Sequence, residues 1–258
     1  DGRLLVANSL LGLLAVDLNT KSIEILCNYV DGRQVRFANA VTVSRDGVIY
    51  FTDSTDIAPI QTASGYYDTH TTAVMQILVA NPTGRVIRFD PITRKATVID
   101  SGYSFANGIA LSSDESYLLV CDLGHNAIRR VWLKGDRANS SEVVLEKIPG
   151  FPDNIQKASD GGYWIPLASQ RSAIVDAVQR LPFIKRLLLR LPLKLFPKPA
   201  PVAQILKLNA KLDIEFVLTE DSGHIPYVTD AMEHDGKLHL CAVNAHYWAT
   251  LDLAAIDK

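Results

Sequence analysis

One phrase, which opens on an aromatic residue and carries a side-chain oxygen two positions later, occurs three times in the 258-residue chain. It reads FANAVTVSRDG from Phe37, FANGIALSSDE from Phe105 and FPDNIQKASDG from Phe151. Around each copy, short runs of Val, Ile, Leu and aromatic residues alternate with D-G turns and polar loops, which is typical of antiparallel strands. A repeated unit of about four strands predicts a β-propeller, in which blades are arranged radially around an axis.

The repeats divide the chain into blade-sized units. Four units are complete or nearly so, and they begin near Phe37, Phe105, Phe151 and Tyr227. Residues 1–26 supply a further unit without its first strand. Propellers of this kind usually have about six blades. We therefore expect residues 1–258 to form a single all-β domain, a six-bladed β-propeller, with about one blade and the first strand of the next preceding Asp1.

The recurring oxygens predict a shared site on the propeller axis. In a propeller, the loop that leads into each innermost strand lies at one mouth of the central channel, so Asn39, Asn107 and Asp153 should converge there, with Asn154 beside them. Amide and carboxylate oxygens are hard ligands that suit Ca²⁺, or Mg²⁺ or Mn²⁺, and are poor ligands for zinc or copper. The alternative is that these residues only cap local turns. Three copies in matched register favour a common metal or substrate site.

Longer stretches of the chain resemble the strictosidine synthase-like family. The likeness is carried by FANAVTVSRDGVIYFTDS, GRVIRFDPITRKATVI, FANGIALSSDESYLLVCD, IRRVWL and PGFPDNIQKASDGGYWI, and it covers nearly the whole chain. More distantly, the sequence is similar to the gluconolactonases and paraoxonases, six-bladed calcium-dependent hydrolases of lactones and esters. The resemblance implies one axial metal with Asn39, Asn107 and Asp153 at ligand positions. It also implies a first-blade Glu ligand, whose matching segment would precede Asp1, so a site built from this chain alone should hold Ca²⁺ weakly.

The same resemblance argues against true strictosidine synthase activity. In that enzyme the key Glu lies just before a phrase that resembles EHDG here, and the alignment puts Thr229 at its position. Threonine cannot shuttle a proton near neutral pH as a carboxylate does. Asp230 is adjacent, but neighbours on a regular strand point to opposite faces. Asn154, Thr229 and Asp230 are therefore candidates for contacting a substrate rather than for imine chemistry.

The residues favour metal-assisted hydrolysis over other hydrolytic mechanisms. The sequence contains no G-x-S-x-G, H-E-x-x-H or P-loop motif. A metal could polarise a carbonyl and activate water, with Asp153 as both ligand and base. His70 and His125 lie in loops expected at the channel mouth and are secondary catalytic candidates, although solvated loop histidines are the alternative. We expect a metal-dependent hydrolase of small apolar lactones or esters. The alternative is a catalytically lapsed, membrane-associated binding or scaffold propeller.

A basic insertion interrupts the unit that begins near Phe151. Residues Arg171–Lys198 hold seven Lys or Arg against one acidic residue, with apolar residues at helical spacing broken by prolines. Such a segment can lie in a membrane interface, and the alternative is a helical lid across the channel mouth. The resemblance to paraoxonases favours membrane contact and, weakly, a membrane-associated or extracytoplasmic location.

Charge and cysteine content argue against a nucleic-acid-binding protein, a zinc ribbon and a disulfide-rich fold. The net charge of −2 and the lack of an aromatic-plus-basic motif give no case for nucleic-acid binding. The three cysteines are far apart without a C-x-x-C pair, so neither a zinc ribbon nor a disulfide framework is expected.

Overall fold

A computed structural model describes residues 2–79, 81–171, 200–243 and 245–256 of the chain. Five antiparallel sheets follow one another along these residues. The first contains β1 (Leu4–Asn8), β2 (Gly12–Val16) and β3 (Ile23–Cys27), and a small hairpin of β4 (Tyr29–Val30) and β5 (Arg33–Gln34) follows it. The second contains β6 (Ala38–Val43), β7 (Ile49–Asp53), β10 (Gly84–Asp90) and β11 (Lys95–Tyr103). Between β7 and β10 lie the hairpin β8 (Ile60–Gln61) and β9 (Tyr67–Asp68) and helix α1 (Thr69–Val79).

The remaining sheets repeat the same arrangement. The third contains β12 (Ala106–Leu111), β13 (Tyr117–Asp122), β14 (Ala127–Trp132) and β15 (Ser141–Leu145). The fourth contains β16 (Gly150–Pro152), β17 (Gln156–Lys157), β18 (Tyr163–Gln170), β19 (Ala203–Leu208) and β20 (Ile214–Glu220). The fifth contains β21 (Val228–His234), β22 (Lys237–Ala242) and β23 (Ala249–Asp252). Two short 3₁₀ turns span Leu123–His125 and Leu253–Ala255.

The sheets are the blades of a propeller. Strand β6 contacts β1 on one side and β12 on the other, β12 contacts β17, and β17 contacts β21. Successive sheets therefore meet through their first strands around a common axis, which confirms the all-β propeller. Five blades are present in the described residues. The sixth blade and a blade portion before Asp1 remain predictions from the sequence.

The second, third and fourth blades are buried on both faces because each lies between two others. Strand β13 shows the consequence, since its run LLVC is apolar without alternation. Leu118 and Val120 pack against the second blade, whereas Leu119 and Cys121 pack against the fourth. Successive side chains point to opposite faces of a strand, so both faces of a central blade must be apolar. The four main clusters of the core lie between consecutive blades for this reason.

A buried ion pair fixes the connection between the first two blades. Asp53 ends β7, and its Oδ2 lies 2.9 Å from Nε of Arg85 in β10, with both side chains almost fully buried. The other carboxylate oxygen accepts hydrogen bonds from the backbone N–H groups of Arg36 and Phe37 at 3.1 and 2.9 Å. The Arg85 guanidinium also donates to the carbonyl groups of Val30, Arg33 and Gln34. This network holds the loop that leads into the first repeated phrase.

Asp122 repeats this arrangement in the third blade. It ends β13, as Asp53 ends β7, and its Oδ1 accepts a hydrogen bond from the backbone N–H of Ser104 at 2.9 Å. Its Oδ2 contacts Nδ1 of His125 at 2.8 Å and Nε of Arg129 at 3.3 Å. In both blades, a buried carboxylate at the end of the second strand holds the loop before the inner strand.

The predicted insertion Arg171–Lys198 lies outside the described residues except for Arg171, and the alternatives of lid and membrane contact stay predictions. Within the part of the chain that is described, no helix has the length and apolar character needed to cross a membrane.

Two arginines of β10 provide a test of the buried network. Arg85→Met should lower the free energy of unfolding by about 3–5 kcal/mol, because it removes the close cationic partner of the buried Asp53 carboxylate. Arg88→Met, on the same strand, removes a solvent-exposed contact to Asp90 and should cost less than about 1 kcal/mol. Urea unfolding followed by tryptophan fluorescence measures both. Equal losses in the two variants would contradict the role given to Arg85.

Candidate functional site

The repeated phrases meet at one mouth of the channel, where backbone hydrogen bonds join neighbouring blades. The N–H of Gly108 donates to the carbonyl of Asp153 at 2.9 Å, and the N–H of Asn154 donates to the carbonyl of Thr229 at 3.3 Å. The contact between the third and fourth blades is very close, because a Cβ at position 108 would lie 2.5 Å from Cα of Asn154. Glycine is therefore required where the two inner strands approach each other.

Asn39 is held at the mouth by a short chain of hydrogen bonds. Its Nδ2 donates to Oγ of Ser54 at 3.0 Å, and that hydroxyl donates to the carbonyl of Ala106 at 2.6 Å in the next blade. The side chain is half-buried. The hydrogen bonds of the described residues leave its amide oxygen available for another partner.

Asn107 carries the most informative atom of the site. The residue is only 3% exposed, and its Oδ1 is buried without a hydrogen-bond partner among the described residues. Its side chain is also hydrogen-bonded to the Asp153 carboxyl group. A buried acceptor without a partner costs about 1–3 kcal/mol. The arrangement therefore points to a donor or a cation on the axis that would contact this oxygen.

Asp153 has no cationic partner to stabilise its charge. The pKa of this carboxyl is raised to about 7, mainly by burial and in part by the nearby Asp230 charge, against the hydrogen bond from Asn107, which lowers it. No described Lys, Arg or His forms a salt bridge with Asp153. The side chain keeps partial access to solvent through the channel, although protein surrounds it. A divalent cation at this position would supply the missing charge.

Asp230 faces the same region because of a β-bulge. The pairing of β21 with β22 shifts register between Val228 and Asp230, so the regular alternation expected from the sequence fails there. The Asp230 carboxylate accepts hydrogen bonds from Nε2 of Gln156 at 3.1 and 3.3 Å. Burial raises the pKa of Asp230, and hydrogen bonds from Gln156 and Ala231 oppose this effect.

Asn154 and Thr229, the other two candidates for substrate contact, bind mainly to each other. Nδ2 of Asn154 donates to the Thr229 carbonyl at 2.9 Å, which joins the fourth and fifth blades. The Thr229 hydroxyl donates to the carbonyl of Cys241 in its own blade at 3.5 Å. The structure therefore brings Asn154, Thr229 and Asp230 together and gives the first two a structural contact.

The structure reveals a fourth copy of the phrase that sequence reasoning missed. Val228 pairs with Ala242 in the fifth blade as Ala38 pairs with Asp53 and Ala106 pairs with Asp122 in earlier blades. Tyr227 and Thr229 thus occupy the aromatic and oxygen-bearing positions. The sequence pattern that identifies this copy is an aromatic residue followed two positions later by any side chain that carries an oxygen. The three copies recognised from the sequence all have Phe followed by Asn or Asp, and a pattern limited to these residues does not match Tyr227 and Thr229.

His70 lies in helix α1 rather than in the long loop expected from the sequence. The carboxylate of Asp68 accepts a hydrogen bond from the N–H of Thr71 at 2.8 Å and caps the helix N-terminus. Ala73 and Ile77 pack against the cluster formed by Phe37, Phe105, Leu123 and Phe151, three of which open the repeated phrases. His70 shares their helix face at the i, i+3, i+7 spacing, and its side chain is exposed. The helix places His70 at the mouth.

His125 lies at the rim between the third and fourth blades. It ends the 3₁₀ turn Leu123–His125, and its Nδ1 contacts the Asp122 carboxylate at 2.8 Å. The side chain is 46% exposed. This contact leaves Nε2 as the nitrogen available to a ligand, while Leu123 packs in the aromatic cluster at the mouth.

A cavity of about 410 Å³ extends along the channel from these groups. Residues 40–42 of β6, 109–111 of β12 and 154–157 line it. Its lining combines apolar side chains of the inner strands with four polar ones, those of Thr42, Asn154, Gln156 and Lys157. The volume suits a small ligand.

The oxygen ligands fit a hard divalent cation better than a transition metal. Among the described residues, no group of three His, Cys, Asp or Glu side chains could hold a metal ion. The candidate set of Asn39, Asn107 and Asp153 consists instead of two amides and one carboxylate. Amide oxygens bind Ca²⁺ and Mg²⁺ and bind zinc poorly, so the residues present fit the cofactor expected from the sequence.

The raised pKa of Asp153 predicts a pH-dependent stability of the metal-free protein. The folded protein binds this proton more tightly than the unfolded chain, whose carboxyl has a pKa near 3.8. Stability from this group is therefore complete at low pH and is lost as the pH rises to about 7. Asp153→Asn should be more stable than wild type at pH 8, and this gain should shrink by on the order of 2 kcal/mol at pH 5. Urea unfolding in excess chelator measures the difference, and a gain independent of pH would contradict the assignment.

Curated relatives share sequence with nearly the whole chain. The adipocyte plasma membrane-associated protein of Rattus norvegicus is 30% identical over 270 aligned positions, which cover 99% of this chain and 68% of that protein. Strictosidine synthase-like protein 10 of Arabidopsis thaliana is 32% identical over 260 positions, with coverage of 98% and 67%. The sequence model of the family described as strictosidine synthase matches residues 39–136.

Solved structures share the fold at low sequence identity. A gluconolactonase from Xanthomonas campestris superposes with a TM-score of 0.60 and 14% identity, covering 93% of this chain and 65% of its own. Regucalcin from Agrobacterium tumefaciens, a calcium-binding protein, has a TM-score of 0.58 and 12% identity, covering 95% and 66%. The structural likeness supports the propeller alone, whereas the sequence relatives define the family. The chain belongs to the strictosidine synthase-like family of β-propeller proteins.

Proposed function

We propose that the chain is a divalent-cation-dependent hydrolase of small lactones or esters. The observation that carries this proposal is the unpaired, buried Oδ1 of Asn107 beside the Asp153 carboxyl group. Buried polar atoms in folded proteins almost always have partners, and exceptions point to an ion or a ligand. Gluconolactonase and calcium-binding neighbours of the same fold support lactones as substrates and Ca²⁺ as the cation.

Asn39, Asn107 and Asp153 would hold the cation, with Ca²⁺ as the first choice and Mg²⁺ or Mn²⁺ as alternatives. When bound, such an ion supplies Lewis acidity toward a carbonyl group and lowers the pKa of water. The inter-blade hydrogen bonds keep the three residues in register around the axis. The adjoining cavity of about 410 Å³ has room for a small lactone or ester, and its lining offers both apolar side chains and polar groups to such a ligand.

Protein groups at the mouth can move the protons of the reaction. Burial brings the pKa of Asp153 to about 7, where a carboxyl can both accept and release a proton at neutral pH. The His125 imidazole is oriented by Asp122 through Nδ1, which leaves Nε2 for a substrate or water. His70 is exposed in the first turn of α1, on the helix face whose Ala73 and Ile77 pack on the aromatic cluster. Asp153 is therefore the proposed base, with His125 and His70 as secondary candidates.

Amine–aldehyde condensation of the strictosidine synthase kind is not proposed. Thr229 stands where that reaction needs a carboxylate, and its hydroxyl is directed to the carbonyl of Cys241. Threonine has no accessible proton-transfer pKa near neutrality.

Hydrolysis can be tested on a panel of lactones and aryl esters with added Ca²⁺ and with chelator. Turnover should require the cation. Asn107→Leu and Asp153→Asn should each lower kcat/KM by about 100-fold or more, because each removes an oxygen from the cation site. Asp235→Asn is the control, since this carboxylate is exposed in a turn between β21 and β22. No cation-dependent turnover of any panel member by the wild type would refute the proposal.

Membrane contact through the Arg171–Lys198 insertion is a separate proposal that rests on sequence alone. Its seven basic residues should favour anionic lipid. The chain should float with liposomes that contain phosphatidylserine, and replacement of these residues by Gln should reduce flotation several-fold. Binding to neutral liposomes gives the comparison. Equal flotation of the wild type and the substituted protein would contradict it.

A further inference from the structure

We propose that Asp230 supplies the second negative charge of the cation site in the channel. This inference rests on the proposed function, because it assigns a new residue to the same cation. The family resemblance places the second carboxylate in the first blade, whereas the geometry points to one from the fifth blade. Four observations support it: the bulge in β21, the contact with Gln156, the lack of counter-charge, and the charge count of the site.

The bulge turns Asp230 toward the neighbouring inner strand. Without the register shift after Val228, Asp230 and Thr229 would lie on opposite faces of β21. The two neighbours in fact have different partners. The Thr229 hydroxyl bonds within its own blade, whereas the Asp230 carboxylate bonds Gln156 of the fourth blade. Gln156 lines the channel cavity, and the Asp230 carboxylate that it contacts lies close enough to Asp153 to raise the pKa of that carboxyl group.

The channel is rich in acceptors and poor in charged donors. Within the described ranges, neither Asp153 nor Asp230 forms a salt bridge. The donors recorded on their side chains are the amides of Asn107 and Gln156 and the backbone N–H of Ala231. Lys157, the one basic residue in the cavity lining, contacts the Ser112 carbonyl at 3.3 Å. Two buried carboxylates without a counter-ion are costly, and a bound cation offsets that cost.

The charge count then matches a divalent ion. Asn39 and Asn107 are neutral, so Asp153 alone leaves one positive charge of the ion unbalanced. Asp230 brings the total to two negative charges. Calcium sites tune their affinity largely by the number of charged ligands. Asp230 would contribute its charge to the site either by direct coordination or through a water molecule.

Calcium affinity of the chelator-treated protein tests this assignment by titration calorimetry. Asp230→Asn preserves shape and removes the charge, and it should weaken Ca²⁺ binding by about 10–100-fold. Asp235→Asn removes the same charge from the exposed end of the same blade and should leave affinity within about twofold, because solvent screens it. Asp153→Asn, which removes the charge from a residue proposed to bind the ion directly, should weaken binding more than Asp230→Asn does, to below the measurable range.

The outcomes separate this inference from the proposal beneath it. If Asp230→Asn binds Ca²⁺ like wild type while Asp153→Asn does not, Asp230 has no role and the cation site stands. If the wild type binds no Ca²⁺, both the cation site and the role of Asp230 are refuted. Circular dichroism and thermal melting confirm that the variants are folded. Asp230→Ser serves as a second charge-removing variant, and it must show the same loss for the assignment to hold.

Discussion

Buried carboxylates at the ends of second strands hold the channel mouth together. Asp53 and Asp122 each accept hydrogen bonds from the backbone of the loop that precedes an inner strand. Arg85 and Arg129 balance their charges. Since the candidate ligands begin the inner strands, their positions depend on these loops. Loss of such a pair would therefore displace the site as well as destabilise the blade.

Aspartates at the ends of the second strands and aspartates near the inner strands have different environments. Asp53 and Asp122 are buried and paired with arginine, so their charges serve the fold. Asp153 and Asp230 are enclosed by the blades and meet only amide and backbone donors among the described residues. A charge placed in a low-dielectric region without a partner costs stability unless something is bound. This contrast separates Asp53 and Asp122, which stabilise the fold, from the two carboxylates that we propose to bind a cation.

Strand pattern and phrase register predicted the blades, because both depend on local periodicity. The side chains of Asn107 and Asp153 contact each other, whereas a common site that includes Asn39 stays a prediction. The bulge beside Asp230 follows from strand pairing, and the same register shift occurs after Ala38 and Ala106, so it accompanies the repeated phrase and becomes visible only once the pairing is known. The sequence analysis places His70 in a loop, whereas this segment forms helix α1. Its sequence, DTHTTAVMQILV, carries an Asp cap followed by helix-compatible residues. Its packing on the aromatic cluster joins residues far apart in sequence and was not predictable.

In the repeated phrase, packing of the aromatic residue helps to position the oxygen-bearing residue two positions later. The rings of Phe37 and Phe105 meet edge to face at 5.1 Å, and Phe151 joins them beneath helix α1. Phe105 adopts a φ of 83°, a conformation that costs a bulky residue on the order of 1–3 kcal/mol. Burial of its ring to 2% exposure offsets that cost. The aromatic cluster therefore stabilises a backbone that directs Asn107 to the axis, and packing energy at the mouth holds the ligand geometry.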